Sequence, residues 1–457
     1  GTCNGPGYKT PADAMKGPKE KILYVACIQP YPEEKKSPDY IATVDVDPSS
    51  PSYMQVSFYY TNPPTLWQGD SFCCNDATKK RNKIIVPALG SDRIHIFSVD
   101  DPKAPKLIKV IQPEEVHALN ASALHTTHCL PSGDIMISAM GDGTGEGLCN
   151  YILIDNETNS LKGMKNIKPA KFGYDFWYQP YWDTMISSEW GIPNKFKPCF
   201  VEEHALDPEI YGRSLNVFSW SKRKLTQIIN LGPEGITPLE LRFLHEPTAA
   251  EGFVGCGYPG HIFRFFRKDD GSWDAEKVIH IAKKKVIGHA EPEIGGMTLD
   301  IVISMDDRFL YTNNWMHGDV CQYDITDTRH PKLVGQIFLG GKLLKDGPLK
   351  LIDEEQPEPV YVKGRKLDGA PQMMQLSLDG KRLYVSTAVF TPWDKQFYLD
   401  NGSTLVKVDV NTETGGLTLD PDFLVDFGKE PNGPILAHEI RYPGGDCTSD
   451  IFMKQPE

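Results

Sequence analysis

The chain has 457 residues, with 40% hydrophobic and 24% charged residues, 40 Gly and 36 Pro, which describes a globular, turn-rich protein with ample apolar material for a core. Disordered, collagenous and coiled-coil architectures are excluded. Sixty-one acidic against 48 basic residues give a net charge of −13, so there is no electrostatic footprint for phosphate backbones or anionic lipid, and nucleic acid is not an expected partner. No window approaches the roughly 18 consecutive apolar residues of a membrane helix, and Gly1–Gly7 lacks the basic and apolar regions of a signal peptide. The expected compartment is the cytosol, with nuclear or membrane-peripheral pools set by partners.

One pattern recurs along the chain, a short β-rich strand closed by Asp, Asn, Gly or Pro turn residues and followed by a second strand, which is the turn chemistry of a hairpin. It begins at Tyr40, Arg93, Asn150, Ser214, His261, Asp319 and Thr404. Another apolar strand precedes each hairpin: KILYVACI, NKIIVPAL, GDIMISAM, DTMISSEW, GFVGCGY, DRFLYTNNW and KRLYVSTAV. Tight turns at Pro131–Asp134, Met305–Arg308 and Leu378–Lys381 lead into three of these, as a turn feeds the inner strand of a propeller blade. Hairpin starts lie 47 to 85 residues apart, against about 40 to 50 for a blade. The expectation is all-β: a single domain over residues 1–457, forming a seven-bladed β-propeller with irregular inter-blade insertions. An N-terminal segment covers residues 1–20. The largest insertion spans about 340–369 and holds the acidic run Asp353–Pro359, read as a solvated loop. A closing strand for the N-terminal blade is expected from about 435–451.

Ten cysteines are scattered without regular spacing, and a chain of this length does not need disulfide staples, so they are expected to be reduced. Cys73 and Cys74 read as two unrelated thiols in a loop. No GxSxG, GxGxxG or GxxxxGK[ST] motif is present in a fitting context. Histidines stand instead near the ends of the expected inner strands: His125 and His128 in one repeat, then His245, His317 and His438 in three others. Imidazoles converging from separate blades would make a metal site without a local motif. In a regular strand His125 and His128 point to opposite faces, and a bend at Thr126–Thr127 would aim both at one ion. Glu189, Glu240 and Asp300 place carboxylates beside strand segments, where burial requires partners. Arg242 shares a strand face with Glu240, giving either a structural ion pair or a group that orients ligand histidines.

Gly5-Pro6-Gly7-Tyr8, LHTTHCLPSGDIMIS from Leu124, GYDFWYQP from Gly173, ISSEWGIPN from Ile186, PLELRFLH from Pro238, NWMHGDVCQYD from Asn314, PQMMQLSLDGKRLYVS from Pro371, WDKQFY from Trp393, and LVDFGKEP with AHEIRYPGGDC near the C-terminus are together similar to the selenium-binding protein family. The resemblance runs from Gly5 to about Ile451. It implies a cytosolic propeller that oxidises methanethiol with O2 and water to formaldehyde, hydrogen sulfide and hydrogen peroxide, with copper implicated. Copper would draw four ligands from His125, His128, His245, His317 and His438, with Glu189, Glu240 and Asp300 handling protons or supporting the ligands. Cys129 is a further sulfur donor by type, but its place after His128 turns it towards the core.

The departures from the family pattern concern selenium. Where mammalian members carry the cysteine proposed to hold it, this chain has Met54, in Tyr53-Met54-Gln55-Val56, and a thioether is no substitute for that nucleophile. A CxxC keeps only Cys73, with Asp70 at its first position and Leu66–Gly69 replacing a histidine-containing stretch. An N-terminal CxxC is replaced by Gly1 and Asn4. These changes argue against stoichiometric selenium binding through cysteine. The competing expectation is a selenium- or thiol-binding interaction protein without turnover.

Overall fold

All seven hairpins form, and an additional strand on the inner side of most of them completes a four-stranded sheet. The computed structural model describes residues 8–60, 82–164, 170–398 and 403–454. Cys3, the Leu66–Asp70 stretch and the Cys73–Cys74 pair lie outside the described residues. The structure is nearly all-β, and its helices are short.

Sheet 1 runs in the order Val56–Tyr60, Tyr40–Asp45, Ile22–Ile28, Leu436–Arg441, so a strand from near the C-terminus pairs antiparallel with one from near the N-terminus. Sheet 2 has three described strands, Lys83–Pro87, Ile94–Ser98 and Lys106–Ile111. Sheets 3 to 7 are four-stranded antiparallel meanders. They begin with Ser122–Cys129, Phe176–Gln179, Ile236–Phe243, Ile301–Ile303 and Met374–Leu376. They end with Leu161–Gly163, Lys224–Asn230, Trp273–Ile279, Lys332–Phe338 and Leu417–Asp426.

Burial shows which side of each sheet faces inward. Ser122–Cys129, Ile236–Phe243 and Leu436–Arg441 are buried at every residue, whereas Lys224–Asn230 alternates between exposed and covered positions, as a strand with one wet face does. First strands pack on one another in succession: sheet 4 on 5, 5 on 6, 6 on 7, and 7 on Leu436–Arg441 of sheet 1. This succession is consistent with a propeller.

The tight turns lie one strand later than the sequence suggests. Ser304–Phe309 and Ser377–Arg382 each connect a first strand to a second one, and in both the serine hydroxyl donates to an aspartate two residues on, at 2.6 Å. The strand that these turns feed is therefore second, and the inner strand precedes them. Residues 340–369 contain the short strand Lys350–Leu351, paired with Lys284–Ile287, and the hairpin Tyr361–Val362 with Arg365–Lys366. Asp353, Glu354, Glu355 and Glu358 are exposed. No helix among the described residues is long and apolar enough to cross a membrane.

One cysteine corrects the expectation of ten reduced thiols. Cys129 is disulfide-bonded. Cys27, Cys149, Cys199, Cys256, Cys321 and Cys447 are free, so its partner lies outside the described residues. Chain length removes the need for staples, but it does not prevent two sulfurs from meeting when the fold brings them together. Cys129 is buried in the core cluster that also holds Ile85, Ile135 and Ile137, as expected, and its bridged sulfur is not available as a thiolate ligand.

Candidate functional site

Three first strands carry bulges at their polar residues. Register shifts between Leu124 and Thr127 in sheet 3, between Pro238 and Leu241 in sheet 5, and opposite Ala437–Ile440 in sheet 1. The residues inside these irregularities are His125–Thr126, Leu239–Glu240 and His438–Glu439. A bulge breaks the period-two alternation and re-aims side chains, so polar groups that would otherwise fall between blades are turned by the backbone itself.

Where the first strands meet, Arg242 organises a buried cluster. Its Nη1 lies 2.7 Å from Asp175 Oδ2, and its Nη2 lies 3.1 Å from Glu240 Oε2 and 3.9 Å from Asp300 Oδ1. The carboxylates are held in turn. Phe176 N and Leu241 N donate to Asp175, each at 2.8 Å, Tyr174 OH donates to Glu240 at 3.2 Å, and Met374 N donates to Asp300 at 2.8 Å. Burial opposes the charge on Arg242, but Asp175, Glu240 and Asp300 outweigh it and push the guanidinium pKa above its ordinary value. The guanidinium carbon also lies 5.7 Å from the Trp177 ring centroid. Arg441 is a second buried guanidinium and donates to Glu439. Thr126, Thr127 and His128 of sheet 3, Asp175, both arginines, and Thr448 and Ser449 of the C-terminal segment line a crevice too tight to admit a water molecule.

Glu240 and Asp300 are thus brought together through Arg242. Glu189 has other partners: Arg213 N, Ser214 N and Asn216 Nδ2 donate to it, each at 3.0 Å. Burial raises its pKa to about 7 against these bonds. Asp175, Glu439 and Arg441 were not among the expected site residues. The Glu-x-Arg spacing of Glu240–Arg242 recurs in Glu439–Arg441 and could have flagged the last two.

The five candidate histidines are all buried but occupy different surroundings. The His125 ring lies 4.0 Å from Tyr174, and its Nδ1 is 2.9 Å from Thr126 Oγ1. His128 meets Phe176 and Trp177 edge-on, each at 5.1 Å. His438 Nδ1 is 2.6 Å from Ala388 O. His317 lies in the connection between the second and third strands of sheet 6, with Nε2 3.1 Å from Ile294 O, and burial lowers its pKa. His245 follows the first strand of sheet 5. Its Nε2 is 2.8 Å from Cys447 O, and its Nδ1 faces Ser304 O at 3.1 Å and Asp307 Oδ1 at 3.2 Å. With oxygens at both nitrogens, it has no ring position facing an ion. Among the described residues the only His, Cys, Asp and Glu side chains with three ligand atoms within 4.8 Å of one another are Glu234, His261 and His280, outside this cluster. The five histidines as placed therefore do not fit a preformed mononuclear copper centre.

A larger cavity of about 390 Å³ lies elsewhere, beside Tyr8, Glu20, Arg382 and Tyr442. It holds less of the relevant chemistry, because Glu20 and Asp379 already bind Arg382.

The pattern of the 56kDa selenium binding protein (SBP56) family matches residues 2–453. The chain belongs to the selenium-binding protein family. A Xenopus tropicalis relative named methanethiol oxidase is 53% identical over 99% of each chain. Selenium-binding protein 2 of Mus musculus is 48% identical over 98% of each. Among solved structures, a hypothetical selenium-binding protein from Sulfolobus tokodaii superposes with a TM-score of 0.88 at 33% identity, covering 98% of this chain and 99% of its own. Within this family frame, Met54 lies in the turn between Tyr40–Asp45 and Val56–Tyr60 rather than in the central cluster. Its sulfur accepts a hydrogen bond from Leu424 N at 3.4 Å.

Proposed function

We propose that this chain oxidises methanethiol with O2 and water to formaldehyde, hydrogen sulfide and hydrogen peroxide, at the central polar cluster of a seven-bladed propeller formed by residues 1–457 as one domain. The observation that carries the reading is 53% identity across 99% of the chain to a protein named methanethiol oxidase. Six four-stranded sheets and one with three described strands support the seven blades. Buried carboxylates ranged around one guanidinium support proton handling. Glu240 and Asp300 would take up protons as the thiol carbon is raised to the aldehyde level, while Arg242 keeps both carboxyl groups in place. Ground-state O2 reacts slowly with a closed-shell thiol, so the reaction calls for an electron carrier, which the family resemblance implies to be copper. No step is assigned to it, because the histidines do not gather three ligand atoms.

The test is sulfide release from methanethiol by protein purified with copper supplied, with elemental analysis of the same sample. Wild type is expected to release sulfide, and Glu240→Gln to lose most of that activity while keeping its fold. A metal-replete wild type that releases none would sink the reading. A binding role without turnover is favoured by the relative named Selenium-binding protein 2, and that outcome would leave it in place.

A further inference from the structure

The cavity of about 390 Å³ lies where the two ends of the chain meet. Residues 17–22 form one wall and run into the strand Ile22–Ile28, and residues 442–445 form another, just after its partner strand Leu436–Arg441. The turn between the first and second strands of sheet 7 and Pro102 of sheet 2 contribute the rest. The wall is chiefly apolar, with Tyr8, Pro18, Ile22, Leu378, Tyr442 and Pro443 prominent in it. Gly17 lets Tyr8 lie against the backbone, since a Cβ there would stand 2.2 Å from the Tyr8 hydroxyl. A concave, mostly apolar space of about 300–1,000 Å³ with a few placed polar groups is the usual form of a small-molecule site.

Arg382 is the polar group that matters. It is 8% exposed and lines the cavity. Its Nε donates to Glu20 Oε1 at 2.5 Å, and its Nη2 donates to Glu20 Oε2 and Asp379 Oδ1, each at 3.0 Å. Tyr384 OH also donates to Glu20, at 3.0 Å. Nη1 is left without a partner among the described residues, and it is not one of their buried unpaired atoms, so it stays accessible. Charge decides what can occupy that donor. Burial opposes the guanidinium charge, but Glu20 and Asp379 outweigh it and raise the pKa. Two carboxylates therefore already answer one cation, and a third anion would meet their repulsion. Of the lysines at the rim, Lys21 lies 3.5 Å from Asp47 and Lys19 is exposed to solvent. A neutral oxygen acceptor escapes the repulsion. We propose that this cavity binds an uncharged, ring-bearing small molecule through one carbonyl oxygen, which accepts from Arg382 Nη1 while the ring packs on the apolar wall. The walls flank both strands of the terminal pairing, so the ligand clasps the chain ends and stabilises the folded state by mass action. The site shares no lining residue with the Arg242 crevice, and it is independent of thiol oxidation.

Three probes of similar shape test this: para-fluoroacetophenone, para-fluoroethylbenzene, which lacks the oxygen, and para-fluorobenzoate, which carries a charge. Fluorine NMR line widths are titrated against the full-length protein, and hydrogen exchange with mass spectrometry locates the bound ketone. The ketone is expected to bind about tenfold more tightly than either of the others, as one hydrogen bond from a charged donor allows. It is expected to slow exchange several-fold at residues 17–22 and 442–445. Leu378→Trp, which fills the cavity and leaves Arg382 with its two acids, is expected to lose ketone binding while melting as wild type does without ligand. A ketone that does not bind, that binds no better than the hydrocarbon or the benzoate, or that protects only other residues would overturn the proposal, and these wild-type comparisons decide it even if Leu378→Trp does not fold. Undiminished binding to a folded Leu378→Trp would overturn it as well.

Discussion

Glu189 holds its proton up to about pH 7, where an exposed glutamate has already lost it. Burial raises its pKa from 4.5 to about 7, against the pull of two backbone amides and Asn216. The folded state therefore binds more protons than the unfolded chain between these values, and stability from this group falls as pH rises from about 4.5 to 7. Gln at this position carries no charge to bury. Glu189→Gln is expected to gain on wild type by up to about 3 kcal/mol between pH 5 and pH 8, measured by urea denaturation at both. A difference that does not change with pH would mean that the carboxyl is ionised throughout. Arg242 shows the opposite balance, since its charge is sustained inside the protein by Glu240 on its own strand and by Asp175 and Asp300, which immediately precede the first strands of sheets 4 and 6.

Among the elements, second, third and fourth strands were legible in the sequence, while first strands were largely not. Hairpins such as Ser214–Ser219 with Lys224–Asn230 combine alternation with a polar turn, and both signals are local. Ser122–Cys129 and Ile236–Phe243 bury Thr, His, Glu and Arg beside Leu, and a bulge interrupts each. Neither period-two alternation nor a continuous apolar run survives there. For the same reason the site was only partly readable: Glu240, Asp300 and Arg242 stood out as charges in apolar surroundings. Thr448 and Ser449 look like ordinary loop residues until the C-terminal segment is seen packed against the Arg242 cluster. The connection after the second strand of sheet 6 depends on Gly318, at φ 86°, where a Cβ would lie 2.2 Å from Gly340 O. Gly318→Ala is expected to cost about 2–3 kcal/mol, read as a lowered urea midpoint with an unchanged slope. A midpoint within experimental error of wild type would show that Gly340 can withdraw.

For the whole molecule, stability depends on the pairing of Ile22–Ile28 with Leu436–Arg441. A chain ending before Leu436 would leave the fully buried, apolar strand Ile22–Ile28 as an open edge, which is a template for aggregation. Such a truncation is expected to elute as large assemblies on size exclusion and to lack a cooperative calorimetric transition. A monomer melting as wild type does would show that the sheets hold together without this strand. The pairing also sets a timetable for synthesis. Roughly 400 residues separate the two partners, so at 5–20 residues per second a ribosome needs about 20–80 s to make the second after the first. Throughout that interval the earliest sheet is one strand short, and its apolar edge needs shelter while translation continues.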